Sequence, residues 1–176
     1  TWSGLARINY DSNYALTIKR YNHNANDQSS IGSDNITCIV EDQNMKLWIG
    51  TYGGLTILDQ GKFRNVKADV NNPRAIKEDR IESIYIDRSG IVWIGHYANG
   101  ISKLKINKGF VVLRNNPADA NSLSRNNVSS VAQGRDGVLW VGNIEGGLNR
   151  VDFNGNYKNI PLVTRYKHDP LNPSSI

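Results

Sequence analysis

The sequence predicts an all-β chain of β-propeller blades, each of four antiparallel strands, with about three and a half blades present. Three observations carry this. The text Leu47-Trp48-Ile49-Gly50-Thr51-Tyr52-Gly53-Gly54-Leu55 returns as Val92-Trp93-Ile94-Gly95-His96-Tyr97-Ala98-Asn99-Gly100-Ile101 and as Leu139-Trp140-Val141-Gly142-Asn143-Ile144-Glu145-Gly146-Gly147-Leu148, and the chain opens on its second half, Thr1-Trp2-Ser3-Gly4-Leu5. Trp48, Trp93 and Trp140 stand 45 and 47 residues apart, near the length of one propeller blade. A polar connector recurs at residues 23–31, 71–76, 116–123 and 168–176, each copy ending on an apolar residue, Ile31, Ile76, Leu123 or Ile176, spaced to tuck under the next blade.

Each full repeat divides into strands a to d. Strand a is expected over residues 36–40, 81–86 and 128–133, and strand b is the Trp-containing run. Strand c follows at 55–58, 101–106 and 148–153, and strand d at 62–66, 110–113 and 163–166. All are strand-length and rich in β-branched or aromatic residues. The a–b turn reads Asp87-Arg88-Ser89-Gly90 in one copy and ends in Asp136-Gly137 in another; glycine there suits the left-handed position of a type I turn with a G1 bulge. Met45 stands at the glycine position of the first copy, which predicts a left-handed Asn44 or a distorted turn. Gly50, Gly95 and Gly142, with the Gly-Gly and Asn-Gly pairs that open strand c, read as turn positions driven by the backbone. The third repeat carries a longer hairpin through Asn154-Gly155-Asn156-Tyr157.

This divides the chain into half a blade (1–21), blades over 22–70, 71–114 and 115–167, and a connector to a next blade (168–176). Three and a half blades cannot close a ring. Two copies would supply the strands of seven blades, but the half-blade needs strands a and b and the C-terminus ends on a connector. The expectation is therefore a stretch of a longer chain, with further blades of that chain as its neighbours.

Composition excludes other classes. With 39% hydrophobic and 21% charged residues the chain is ordinary globular material. The net charge of +5 is spread along the sequence without a Lys/Arg run, so no nucleic-acid tail or polybasic membrane patch is expected. No apolar run approaches the ~20 residues a membrane helix requires. Cys38 is the single cysteine, which removes an intrachain disulfide or cysteine zinc site, and its neighbours Ile36, Ile39 and Val40 predict a buried thiol.

The pattern Asn126-Asn127-Val128-Ser129-Ser130-Val131, then Asp136-Gly137-Val138-Leu139-Trp140-Val141-Gly142-Asn143, then Gly146-Gly147-Leu148-Asn149-Arg150-Val151-Asp152, with Tyr166-Lys167-His168-Asp169-Pro170-Leu171-Asn172-Pro173-Ser174-Ser175-Ile176 after it, resembles the two-component regulator propeller repeat. The resemblance covers the whole chain. That repeat is found in the periplasmic sensor region of hybrid two-component systems of gut-dwelling bacteria. It implies a seven-bladed propeller, usually in tandem, ahead of a β-sandwich, a membrane helix, a histidine kinase, a receiver and a DNA-binding domain. Many such proteins detect breakdown products of polysaccharides. The resemblance thus implies a non-enzymatic periplasmic segment that takes an oligosaccharide, in a homodimeric full-length protein whose kinase lies elsewhere, with no nucleic-acid contact by this segment. Thr51 matches the repeat where His96 and Asn143 depart from it, and Asp42 and Asp87 match where Gly134 departs.

In a meandering blade the b–c turns and the connectors emerge on one face. Ligand sites of propellers use that face or the channel, an argument from analogy of fold. The b–c turns place Trp2, Tyr52 and Tyr97 at equivalent positions, with His96, Asn99, Asn143 and Glu145 beside them. These seven are the candidate ligand-binding residues, since a sugar packs its C–H face on a ring and offers hydroxyls to polar neighbours. The same rings would serve equally to pack one blade on the next. Trp48, Trp93 and Trp140 read as core, and His23 and His168, at one connector position, as structural. No nucleophile–base set, phosphate loop or metal-ligand spacing is present, so no catalytic residue, cofactor or metal is expected. A protein-interaction scaffold and a polysaccharide lyase or glycosidase propeller stand as alternatives.

Overall fold

The computed structural model describes residues 2–72, 74–105, 109–156 and 160–176. Strands β1 (Leu5–Tyr10) and β2 (Leu16–Tyr21) pair as a two-stranded sheet. Blade 1 is β3 (Ile36–Glu41), β4 (Leu47–Thr51), β5 (Gly54–Asp59) and β6 (Lys62–Val66). Blade 2 is β7 (Ile81–Ile86), β8 (Val92–His96), β9 (Ile101–Lys105) and β10 (Gly109–Leu113). Blade 3 is β11 (Val128–Gln133), β12 (Leu139–Asn143), β13 (Gly147–Asp152) and β14 (Leu162–Tyr166). Neighbours in the chain are neighbours in each sheet, all antiparallel. The expected strands lie within a residue or two of these, apart from Ile106, which with Thr1, Pro73 and Tyr157 lies outside the described residues.

The apolar residues of a blade do not close a core within it. One cluster joins Trp48, Leu55 and Ile57 of blade 1 to Ile76, Ile81, Ile84, Val92 and Ile94 of blade 2 and its connector. The other joins Trp93 and Ile101 of blade 2 to Leu123, Val128, Leu139, Val141 and Phe153. Connector residues Ile31, Ile76 and Leu123 are fully buried, as their spacing predicts, whereas Ile176 is exposed. Cys38 packs against the first cluster, and burial pushes its thiol pKa up.

Close approach of adjacent blades corrects the reading of Gly50, Gly95 and Gly142. They lie within strand b, not in a turn, and their missing side chains make room for strand a of their own blade and, for the first two, of the next. A Cβ on Gly50 would stand 2.5 Å from Cys38 Sγ and 2.8 Å from Ile81 Cγ2, and one on Gly95 would meet Ser83 Oγ and stand 2.6 Å from Val128 Cγ1. Gly95→Ala is expected to cost about 1–3 kcal/mol by overpacking, read as a lower denaturation midpoint at unchanged slope; an unchanged midpoint would show that the junction yields freely.

The a–b turns of blades 1 and 2 are each organised by an aspartate side chain. Asp42 Oδ1 accepts the N–H groups of Asn44 (2.8 Å) and Lys46 (3.0 Å) while Oδ2 accepts the Trp48 indole N–H at 2.9 Å. Burial alone would raise the Asp42 pKa, but the bonds from Trp48, Lys46 and Asn44 outweigh it and hold the carboxyl below its ordinary value. Asp87 repeats the arrangement, and Gly134 supplies no carboxylate to Trp140. Backbone bonds Met45 N–H to Asp42 O (3.0 Å) and Asp42 N–H to Lys46 O (2.9 Å) close the expected turn. Its left-handed residue is Met45 itself, with φ of 61°, not Asn44; Gly90 (76°) and Gly137 (84°) occupy the same place in the other blades. The Met45 side chain is exposed, so the cost is backbone strain alone. Met45→Gly is expected to gain about 1 kcal/mol, seen as a higher midpoint of unfolding.

A second bulge, not expected from the sequence, recurs at the other end of strand a, between Ile36 and Cys38, Ile81 and Ser83, and Val128 and Ser130. In blade 2 the residue at the bulge is Glu82.

Candidate functional site

The face that carries the b–c turns is built by tying each turn to the residue before strand a. Tyr52 N–H donates to Asn35 O (3.1 Å), Tyr97 N–H to Arg80 O (3.2 Å) and Ile144 N–H to Asn127 O (3.0 Å). One residue earlier, the side chains of Asp34, Asp79 and Asn126 accept the N–H groups of His23 (2.8 Å), Ala68 (2.6 Å) and Asn115 (2.7 Å), fixing each connector where it leaves the preceding sheet. Turn, strand entry and connector therefore share one face, as a meander requires.

Three of the predicted residues form a continuous row on it. Trp2 meets Tyr52 edge to face, centroids 5.9 Å apart at 71°. The Arg80 guanidinium lies over Tyr52 at 4.4 Å and over Tyr97 at 3.8 Å, a cation held between two rings from adjacent blades. Glu82, at the bulge, accepts from Arg80 Nε at 2.6 Å and sets the guanidinium plane. Trp2 remains 77% exposed and Tyr97 37%, so one edge of the row faces solvent while the cation ties the blades together.

Asn99 sits beside Tyr97, its amide donating to Glu78 Oε2 (3.3 Å), which also accepts from Ala98 N–H (2.7 Å). Glu145 is exposed in the third turn with φ of 57°.

His96 and Asn143 are placed differently from the expectation. Both are buried, at the last position of strand b, and face polar residues of strand c. His96 Nε2 and Ser102 Oγ are hydrogen-bonded at 2.6 Å, and the buried Nδ1 has no partner of good hydrogen-bond geometry among the described residues, the Glu78 backbone being a group that acts on the ring. Burial pushes the imidazole pKa down to about 4; the Arg114 charge acts the same way and the Glu78 backbone opposes both. Asn143 Nδ2 donates to Arg125 O (3.0 Å) and Asn127 O (3.1 Å), and its Oδ1 accepts from Asn149. Thr51 at the equivalent place closes its own turn through Gly54 O (2.8 Å) and Gly53 N–H (3.0 Å). These three residues thus support the turns from beneath, and the exposed rings lie above them. His23 Nδ1 at 2.8 Å from Ile31 O and His168 Nδ1 at 3.0 Å from Ile176 O stay inside their connectors.

Chemically, the row offers flat apolar rings, one cation and amide edges. Among the described residues no cluster of His, Cys, Asp and Glu suits a metal ion, and no helix is long and apolar enough to cross a membrane.

The sequence model of the two component regulator propeller matches residues 30–53 and 122–145. Those two stretches are therefore similar to the two-component regulator propeller repeat. Each match runs from the last connector serine, Ser30 or Ser122, through strands a and b into the b–c turn; the corresponding part of blade 2 is unmatched. No curated protein matches the chain. Among solved structures it is similar to the extracellular domain of a putative hybrid two-component system from B. thetaiotaomicron, at 17% identity and a TM-score of 0.72, over 96% of this chain and 25% of that one. A second such domain from the same organism aligns at 18% identity and a TM-score of 0.66, over 93% and 22%. Virginiamycin B lyase from Staphylococcus aureus aligns at 14% identity and a TM-score of 0.56, over 93% and 49%. At these identities the likeness establishes the propeller fold. The chain spans about a quarter of the length of the two-component domains it matches.

Proposed function

We propose that this chain is part of the ligand-sensing propeller of a hybrid two-component signalling protein, on the periplasmic side of the inner membrane, and that it detects an oligosaccharide. The observation that carries this reading is the row Trp2–Tyr52–Arg80–Tyr97, which crosses three successive sheets and keeps ring surface open to solvent. Rings of this kind receive the apolar face of a pyranose, and Arg80 and Asn99 reach its hydroxyls. The repeat match and the likeness to extracellular domains of two-component systems support the setting. A ligand that spans the row bears on the relative placement of three blades. In a homodimer it would favour one arrangement over another, and a kinase beyond this segment would read the difference.

The test is binding of fluorescently tagged oligosaccharides, prepared by digestion of plant and host polysaccharides, to the chain and to its Tyr52→Ala/Tyr97→Ala variant. A tenfold or greater loss of binding, with the melting transition retained, is expected. Unchanged binding by the folded variant removes the row from the site. A protein partner that raises the melting temperature where no saccharide does would replace the sensor by a scaffold.

A further inference from the structure

Blade 2 departs from its neighbours in a coordinated way at its outer edge. In blade 1, Asn65 lies opposite Thr56 across strands d and c, and in blade 3 Arg165 lies opposite Asn149. Both side chains reach back to the connector. Asn65 Nδ2 donates to Ser30 O (2.9 Å) and Gln28 O (3.3 Å); Arg165 donates to Ser122 O and Asp119 O, each at 2.8 Å. The serine hydroxyls lock the connectors in turn: Asn24 N–H donates to Ser30 Oγ (2.9 Å), Asn116 N–H to Ser122 Oγ (2.8 Å) and Asp169 N–H to Ser175 Oγ (2.8 Å).

At the corresponding places blade 2 has Val112, opposite Ser102, and Ala75. Neither makes these ties. A cavity of about 950 Å³ opens between connector and β10, lined in part by Asn71, Lys77, Asn99, Phe110, Val112 and Arg114. Lys77 stands where blades 1 and 3 have Gly32 and Ser124, and takes over part of the missing work: its Nζ donates to Asp69 O (3.1 Å) and to Asn72 O.

We propose that this cavity is a second binding site, for a small organic anion that also presents an apolar face and hydroxyls, the chemistry of an acidic sugar. An ammonium has three N–H donors, and two carbonyls occupy two of them at Lys77, so one remains to be directed at a ligand. Among the described residues Arg114 forms no ion pair and no carboxylate lines the cavity, the Glu78 carboxylate behind Asn99 being taken up by the Asn99 amide and Ala98 N–H. Two cations with no lining counter-charge select an anion, and the planar guanidinium fits a carboxylate or sulfate edge with two parallel hydrogen bonds. The Phe110 ring and Val112 supply the apolar wall, and the Asn71 and Asn99 amides supply groups that bond hydroxyls. The site borders the ring row through Asn99, but Trp2, Tyr52, Arg80 and Tyr97 do not line it.

The experiment is calorimetric titration of the chain, at low ionic strength, with glucuronate, glucose 6-sulfate and glucose. At least one acid is expected to bind tenfold or more tighter than glucose, and the acid that does so distinguishes a carboxylate from a sulfate ester. Arg114→Gln, at an exposed position, is expected to weaken that binding at least tenfold. Val112→Asn, which gives blade 2 the side chain that ties the connector in blade 1, is expected to do the same by closing the cavity. Tyr97→Ala should leave it unchanged. Equal binding of acids and glucose, no binding by any of the three, or acid binding that survives both substitutions in folded protein overturns the proposal.

Discussion

Replacement of Asp87 by Ala is expected to destabilise the chain by about 3–5 kcal/mol, since hydrogen bonds to a charged group contribute about 1.5–3 kcal/mol each and unpaired buried donors add a penalty. Asp87 is 2% exposed, and its carboxylate accepts three bonds, from Ser89 N–H (2.9 Å), Ile91 N–H (3.0 Å) and the Trp93 indole N–H (2.9 Å). Trp93 has no exposed surface, so its N–H cannot turn to water when the acceptor is gone. The two backbone donors belong to a surface turn and can turn to water once the carboxylate is removed, which is why the sum falls short of three full bonds. Asp87→Asn retains an acceptor for the backbone but risks pointing an amide N–H at the indole N–H, and its loss should be intermediate. Asp42→Ala should cost less than Asp87→Ala, because Asp42 is only partly buried. Denaturant titration of the three variants checks the order; an Asp87→Ala protein as stable as the parent would mean that the indole has another acceptor.

Acidification is expected to weaken the chain through His96, between about pH 6.5, its ordinary value, and about 4, its value in the fold. The sign follows from proton uptake. In that window the unfolded chain binds a proton at this residue and the folded chain does not, so stability falls with falling pH. Above pH 6.5 both states are neutral, and below 4 both are charged. At 1.36 kcal/mol per pH unit the loss is about 2 kcal/mol at pH 5 and about 3 kcal/mol at the end of the window. His96→Asn, borrowing the residue of blade 3, should remove that slope while leaving the shared titration of surface carboxylates. Equal slopes for the two proteins between pH 6.5 and 5 would show that His96 is protonated in place.

The periodic parts of the molecule are legible in the sequence. Tryptophan spacing, turn chemistry and the apolar end of each connector locate all the sheets, because strand pairing and burial repeat with the text. Side-chain functions at single positions were less so. His96 and Asn143 look like turn residues beside exposed rings, yet alternation from Ile94 and Val141 carries both to the core side of strand b; that signal was present and the ring neighbours obscured it. Arg80 left no signal of its own, because Asn35 and Asn127 occupy its place in the other blades and the repeated turn text does not include it. Its position between Tyr52 and Tyr97 depends on the register of a strand a with a bulge, and a residue count cannot supply that register. Met45 shows the converse: the sequence marked the anomaly, and the strain fell on Met45 because the turn bonds through Asp42 fix which residue must be left-handed.

Since both hydrophobic clusters bridge consecutive sheets, the cooperative unit of this chain is the junction, not the blade. A sheet here is closer to a spacer between two cores than to a domain with one. Free energy is then communicated between nearest neighbours in sequence order, as in a linear array. Amide exchange should accordingly sort by the number of junctions that hold a strand, slowest in β8, clasped on both sides, and fastest in β1 and β2, most of whose side chains are exposed.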